Sequence, residues 1–386
     1  MTPARTSAAG ADTANAVPLS RAHFALDPGL TYFNHAAVGV LPIATRDALH
    51  AFVDGHAARG VLGVYKTELN MPRFRAAVGA FIGAQGAEIA ILRNTGDGAT
   101  LLAQGLNLQP GDEIITNRNE FGSNAYPWLA LRKRGVDVRF IDAPRERMTP
   151  EVLTAALSAR TKAVAVSWVS FDDGYRHDLA SLAEVTHRAG ALFFVDAIQG
   201  LGAFPFDVTA FGIDACYAGG AKWLMALQGV SFLYVRASVM ERIELNLPGW
   251  RSVNDMWNFL DYDQPWASDA TRYEGGTPNF IGALSLATSV GILQQAGTAQ
   301  IGQHVLMLTD RLVEGLLRKG AAVDGVRGAD VSSGIIRFRV PGVDPMELGK
   351  RIAAAGIVTT NRPSGVRVSP HGYNTPDEID ALLEVV

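Results

Sequence analysis

The chain has 386 residues, 48% of them hydrophobic and 19% charged, with a formal net charge of −4. That length supports two domains, and the composition is that of a globular enzyme rather than a fibrous or disordered protein. No basic stripe and no membrane-length apolar run is present, which argues against nucleic acid and membrane as partners. A single cysteine, Cys216, excludes an intramolecular disulfide framework and fits a reducing, cytoplasmic setting.

Residues 1–21 are rich in Ala, Thr and Ser without hydrophobic periodicity and read as a mobile tail; they lack the charged start and apolar stretch of a signal peptide. Residues 32–39 form an extended piece ending in small residues, where Asn34 and His35 border a site or simply make a turn. Pro42 opens a helix with Ala44, Ala48, Phe52 and Val53 on one face, and a second follows with Phe74, Val78, Phe81 and Ile82. The strand at 89–92 leads through Thr95 and Gly96 into a helix. Such a turn suits a phosphate, with free N–H groups, the helix dipole and a threonine hydroxyl, although Thr-Gly also serves as an ordinary cap.

Alternation continues with strands at 113–116, 136–141 and 163–168, each followed by a helical stretch, and Phe121 stands just past the first of these. This pattern predicts an α/β fold with a mostly parallel sheet covered on both faces. The apolar run 191–195 ends at Asp196, three residues before Gln199. The next strand, 215–218, holds Cys216 as a core thiol and runs into Gly219-Gly220-Ala221-Lys222-Trp223. Another strand spans 231–235. Residues 246–278, with Trp250, Trp257 and Trp266, are irregular yet too aromatic for disorder, and read as a folded excursion near a pocket or a subunit interface. Long helices follow Asn279, and beyond them short mixed strands, one carrying Arg367, suggest a small α+β domain.

Ligands of parallel sheets bind beyond the carboxyl ends of the strands, so Asp196 and Lys222 are placed to face one pocket. An acid and a desolvated, nucleophilic lysine suit pyridoxal phosphate, whose ring nitrogen needs an anion and whose aldehyde needs an amine. Each residue alone also fits a plainer role, Asp196 as a helix cap and Lys222 as a surface charge. A dinucleotide-binding oxidoreductase is disfavoured because no G-x-G-x-x-G lies between strand and helix.

Taken together, Asp196 with Gln199, Lys222 before Trp223-Leu224, Gly276-Thr277-Pro278-Asn279, and Arg367 with Tyr373-Asn374-Thr375 resemble the class V aminotransferase and cysteine desulfurase-like group of fold-type-I pyridoxal phosphate enzymes. That group includes C–S lyases and isopenicillin N epimerase-like proteins, and the likeness runs from about Tyr32 to the C-terminus. The resemblance implies a Lys222 Schiff base to the cofactor, Asp196 on the pyridinium, Gln199 on the phenolic oxygen, and Phe121 over the ring. It also implies Thr95, Gly96, Ser170 and Gly219 around the cofactor, Asn34, His35 and Arg367 around the substrate, and no metal. Thr277 would reach the neighbouring subunit's phosphate in a homodimer. Residues 22–285 are expected to form the large domain, its N-terminal segment packing on a small domain of residues 286–386.

Three departures bear on function. No cysteine precedes the Arg367 strand, which argues against persulfide formation as in desulfurases. Gly219 and Ala221 replace a serine and a histidine common in relatives, and Trp168 stands where several carry a polar residue near the ring. The expected substrate is an α-amino acid and the leading outcome transamination. β-Elimination from a cysteine derivative and epimerisation are the alternatives, with a non-catalytic cofactor-binding protein behind them.

Overall fold

The computed structural model describes residues 17–142 and 147–386. Residues 1–16 of the expected tail lie outside these. Residues 17–21 do not behave as a tail: Leu19 is buried, and the Arg21 guanidinium donates to Glu378 at 2.7 Å. The packed chain therefore begins before residue 22, because one leucine and one arginine find partners near the C-terminus.

In chain order the elements are β1 (Thr31–Tyr32), α1 (Ile43–Arg59), α2 (Val61–Leu69), α3 (Met71–Phe81), β2 (Ile89–Leu92), α4 (Thr95–Gly105), β3 (Glu113–Asn117), α5 (Gly122–Leu129), β4 (Asp137–Ile141), α6 (Pro150–Ala156), β5 (Thr161–Ser167), α7 (Leu179–Arg188), β6 (Leu192–Asp196), β7 (Ala215–Gly219) and β8 (Ser231–Val235). Then come α8 (Phe280–Ala296), α9 (Thr298–Arg318), β9 (Ala322–Val323), β10 (Ile336–Arg339), α10 (Pro345–Ala354), β11 (Ile357–Val358), β12 (Thr360–Arg362), β13 (Gly365–Val368) and α11 (Pro376–Val385). Several helices start where their sequence signals sit. The side chains of Asn94, Thr149, Asp178 and Asn279 each accept from a backbone N–H of the first turn of α4, α6, α7 and α8.

A seven-stranded sheet in the order β2-β8-β7-β6-β5-β3-β4 forms the centre, and only β8 runs against its neighbours. Period-two alternation divides the strands between two apolar layers. In β6, Phe193 and Val195 join a layer with Val78, Leu182, Leu286 and Val290, whereas Leu192 and Phe194 join another with Leu101, Leu102 and Trp128. Burial on both faces explains why these strands read as unbroken apolar runs.

Two expectations shift on packing. The buried face of α1 is turned from the expected one: Thr45 and Leu49 are buried while Val53 is half exposed, because Thr45 Oγ1 meets Ser289 Oγ of α8 at 2.8 Å. The boundary at residue 286 falls inside α8, whose Leu286, Val290 and Leu293 belong to the large core. The passage between domains lies along α9 instead, with Ile301 and Val305 in the large core and Leu308, Leu312 and Leu316 in the small one. One continuous helix thus serves both.

The small core sits under an antiparallel sheet, β12-β13-β10-β9. The N-terminal segment joins it, since β1 pairs in parallel with β11. The excursion at 246–278 is irregular apart from a short 3-10 turn (Ala270–Glu274), and Trp250, Trp257 and Phe259 form an aromatic cluster on its surface. Its end is fixed from inside. Arg75 of α3 donates to both oxygens of the Glu274 carboxylate, whose side chain is buried, at 2.8 and 2.7 Å, and Glu274 also accepts from the Ile91 N–H.

Candidate active site

Five parallel strands end at one crevice. Thr95 follows β2, Phe121 follows β3, Ser170 follows β5, Asp196 ends β6, and Lys222 stands just beyond β7. This is where βα connections of a parallel sheet can converge. A cavity of about 200 Å³ here is lined by Phe121, Gln199 and Lys222 from the large domain, by Ala36 and Ala37, and by Arg367 from the small one.

The Lys222 backbone is held by a tight approach. Gly39 N–H donates to Ala221 O at 2.7 Å, and a Cβ on Gly39 would lie 2.1 Å from the Lys222 carbonyl oxygen, so only glycine fits. Met225, whose N–H donates to Lys222 O at 3.0 Å, has φ +52°, alone among the described non-glycine residues in being positive. Such strain persists where surrounding packing over-determines a turn.

Burial dominates the electrostatics. It pushes the Lys222 ammonium down to about 8 against the opposing pull of Asp196, and the Asp196 carboxyl up to about 6, moderated by the Ile198 N–H and by Lys222. The two groups sense each other, and among the described residues they form no direct ion pair; Lys222 lines the cavity, whereas Asp196 lies buried outside its lining. The Lys222 Nζ lies 5.5 Å from the centroid of the half-exposed Phe121 ring, which meets Phe171 edge-on.

Gln199 is oriented by partners that admit one amide orientation. The Trp223 indole N–H donates to its Oε1 at 3.0 Å and its Nε2 donates to Ala36 O at 3.1 Å. Arg367 is buried; it donates from Nη1 to Phe171 O at 2.8 Å and from Nη2 to Thr360 Oγ1 at 3.4 Å, while among the described residues its Nε has no partner. Thr95 and Gly96 open α4, with Ser123 of α5 near Gly96, and a Cβ on Gly219 would come within 3.2 Å of Thr95 Oγ1. The missing side chain keeps space beside that hydroxyl.

Other expected residues lie elsewhere. His35 is wholly buried outside the cavity lining, its Nδ1 against Ser369 O at 3.2 Å and its Nε2 against Tyr373 OH at 3.1 Å, so both ring nitrogens are engaged within the protein. Asn34 accepts from the Thr360 hydroxyl at 2.5 Å and acts one residue back from the cavity. The Ser170 hydroxyl accepts from Asn119 Nδ2 at 3.0 Å and from the Asp172 N–H at 3.4 Å, steadying the turn that presents Phe171. Trp168 packs on Phe204, Phe206 and Phe211, away from the cavity. Thr277 lines a separate cleft with Arg93 and Pro248.

Sequence reasoning passed over Glu120, Phe171, Thr360 and Arg362. Glu120 is half-buried by surface area, its carboxylate accepts from Ser167 N–H at 2.7 Å, from Ser167 Oγ and from Asn124 Nδ2 at 2.8 Å, and desolvation still raises its carboxyl to about 7. A lone acid between a strand end and the small-residue run 122–124 was its available signal.

Residues 31–382 match the family model described as aminotransferase class-V. The chain belongs to the class-V aminotransferases. A protein of Methanothermobacter thermautotrophicus named probable cysteine desulfurase is 29% identical, over 97% of this chain and 96% of its own. An uncharacterized aminotransferase, YcbU of Bacillus subtilis, is 27% identical over 79% and 80% of the two chains. The apo cysteine desulfurase of Thermococcus onnurineus NA1 superposes with a TM-score of 0.86 at 27% identity, covering 95% and 96%. The fold is that of fold-type-I pyridoxal phosphate enzymes, and pyridoxal phosphate is the cofactor of this class-V enzyme.

The residues present fit that cofactor. A buried carboxyl lies within electrostatic reach of a desolvated amine that lines the cavity, Gln199 offers a second N–H, and the α4 start beside Gly219 leaves a cradle that a side chain would fill. Among the described residues no single helix is long and apolar enough to cross a membrane.

Proposed function

We propose that this class-V enzyme cleaves a C–S bond of a cysteine-derived α-amino acid by β-elimination. The alternative raised from sequence thereby moves ahead of transamination, because desulfurase-named relatives match the chain along nearly its whole length. The observation that carries the reading is the convergence of Lys222 and Arg367 in one cavity without a thiol. The only cysteine, Cys216, is fully buried in β7 and its thiol is held well above the usual range by burial. Sulfur therefore leaves directly instead of passing to an enzyme cysteine.

Pyridoxal phosphate, when bound, supplies an aldehyde for the substrate amine and a ring that withdraws electrons from Cα. Thr95, Gly96 and the α4 N-terminus hold its phosphate, with Gly219 leaving room and Ser170 shaping the adjoining turn. Asp196 would hold a proton at the ring nitrogen, Gln199 would donate to the phenolic oxygen, and Phe121 would shield the ring from solvent. Arg367 takes the substrate carboxylate as a fork, using the unpartnered Nε. The Lys222 amine, whose ammonium is brought by burial down to about 8 so that a neutral fraction is available near physiological pH, removes the Cα proton as the sulfur departs with the C–S electron pair. Overall, substrate and water give a thiol or sulfide, a keto acid and ammonia.

A homodimer is part of the proposal, with Thr277 contributing to the partner's phosphate site and the exposed Trp250, Trp257 and Phe259 covered in the assembly. Incubating the holoenzyme with cysteine derivatives tests the chemistry. Keto acid, ammonia and released sulfur in equal amounts, without added acceptor, are expected. Keto acid that forms only with an acceptor, with sulfur retained, would return the assignment to transamination.

A further inference from the structure

We propose that the cavity reads a second anionic group on its substrate through Arg362, so that the enzyme takes an α-amino acid with an acidic side chain. This rests on the reading of Arg367 as the α-carboxylate site.

The argument starts from register. In the hairpin of β12 and β13, Thr360 lies opposite Arg367 and Arg362 opposite Gly365. Residues directly opposite share a face, as do residues two apart on a strand, so Thr360, Arg362 and Arg367 project together. Arg337 of β10 lies opposite Arg367 on its other side and shares that face too. Four arginines, Arg339 included as the residue two on from Arg337, thus stand on one surface, and their treatment differs. Arg337 pairs with Asp172 and, at 2.8 Å, with Asp324, which also takes Arg339 at 3.0 Å. Among the described residues, neither Arg362 nor Arg367 has a carboxylate partner, and both line the Lys222 cavity.

Arg362 is half-buried and rests 5.8 Å from the Phe171 ring centroid, a contact that positions a guanidinium without neutralising it. Burial first, and then the neighbouring Arg362 charge, bring the Arg367 guanidinium down to about 10, as expected of two cations converging on a space made for anions. One α-carboxylate would answer one of the two forks. The other, diagonally across the hairpin, is placed for a charge borne by the side chain, where its planar donors suit a carboxylate or a similar oxyanion.

The test is calorimetric titration of the holoenzyme with glutarate and with its monoamide, which differ by one charge. Glutarate is expected to bind about tenfold to a hundredfold more tightly. Arg362→Gln should erase that preference while leaving the monoamide affinity unchanged, and Arg362→Lys should keep part of it. Equal affinities in the unaltered enzyme, or an Arg362→Gln loss equal for both ligands, would overturn the inference. If Arg367→Gln weakens both ligands and Arg362→Gln weakens neither, this inference alone fails. If Arg367→Gln weakens neither, the parent reading of the cavity fails with it.

Discussion

Replacing Arg75 by Met isolates the buried pair that anchors the Gly275–Asn279 turn. The side chains of Arg75 and Glu274 are only 8% and 1% exposed, and both forks of the guanidinium are engaged at 2.8 and 2.7 Å. Removing the arginine leaves the carboxylate with the Ile91 N–H as its remaining donor. Stranding one half of a buried pair costs about 3–5 kcal/mol, well above the ~1 kcal/mol typical of exposed pairs. Urea unfolding of the variant, followed by tryptophan fluorescence at pH 7, measures the loss. Arg75→Met with Glu274→Gln should recover most of the loss, because the amide oxygen still accepts from Ile91 and no charge is buried. A deficit below about 1 kcal/mol at pH 7 would show that water screens the pair and that the turn is anchored otherwise.

Gly39→Ala should displace the Lys222 backbone, given the 2.1 Å approach to its carbonyl, and lower cofactor occupancy, read as loss of cofactor absorbance in purified protein. Lys222→Ala should abolish borohydride-fixable cofactor, and an unchanged label on the variant would reject Lys222 as the attachment point. Glu120 and Asp196 have carboxyls raised by burial to about 7 and about 6. Their protonated forms therefore favour the folded state, so their contribution is full below about pH 4 and is lost as pH rises through 6 to 7. For Glu120 this amounts to roughly 3 kcal/mol in the cofactor-free protein, and Glu120→Gln should flatten the stability profile between pH 5 and 7. Cys216→Ala should leave turnover of cysteine derivatives intact, and its loss with the fold retained would revive an enzyme thiol in the reaction.

Much of this architecture was legible because doubly covered parallel strands leave apolar runs that end abruptly in polar residues, as at Asp196 and Lys222. What periodicity conveys is which residues share an element, not which way the chain turns afterwards. His35 illustrates this: it opens the short turn at residues 35–37, and only the tertiary pairing with Ser369 and Tyr373 sends the imidazole inward, outside the cavity lining. Trp168 likewise follows a strand end, and its direction is set by distant Phe204 and Phe206. The domain boundary escaped notice because α9 changes cores without any break in its pattern. Arg362 was invisible as a site residue since its meaning depends on strand register, which no local signal reveals.

That register has a consequence for how selectivity can change. β12 is the outermost strand of its sheet, bonded on one side only, and joined to β13 by just Pro363 and Ser364. Lengthening the connection by one residue would slide the outer strand and turn the Arg362 side chain to the opposite surface, while β13 and Arg367 kept their place. The rim of the small domain is thus a dial that can retune which amino acids are admitted without disturbing the catalytic floor beneath.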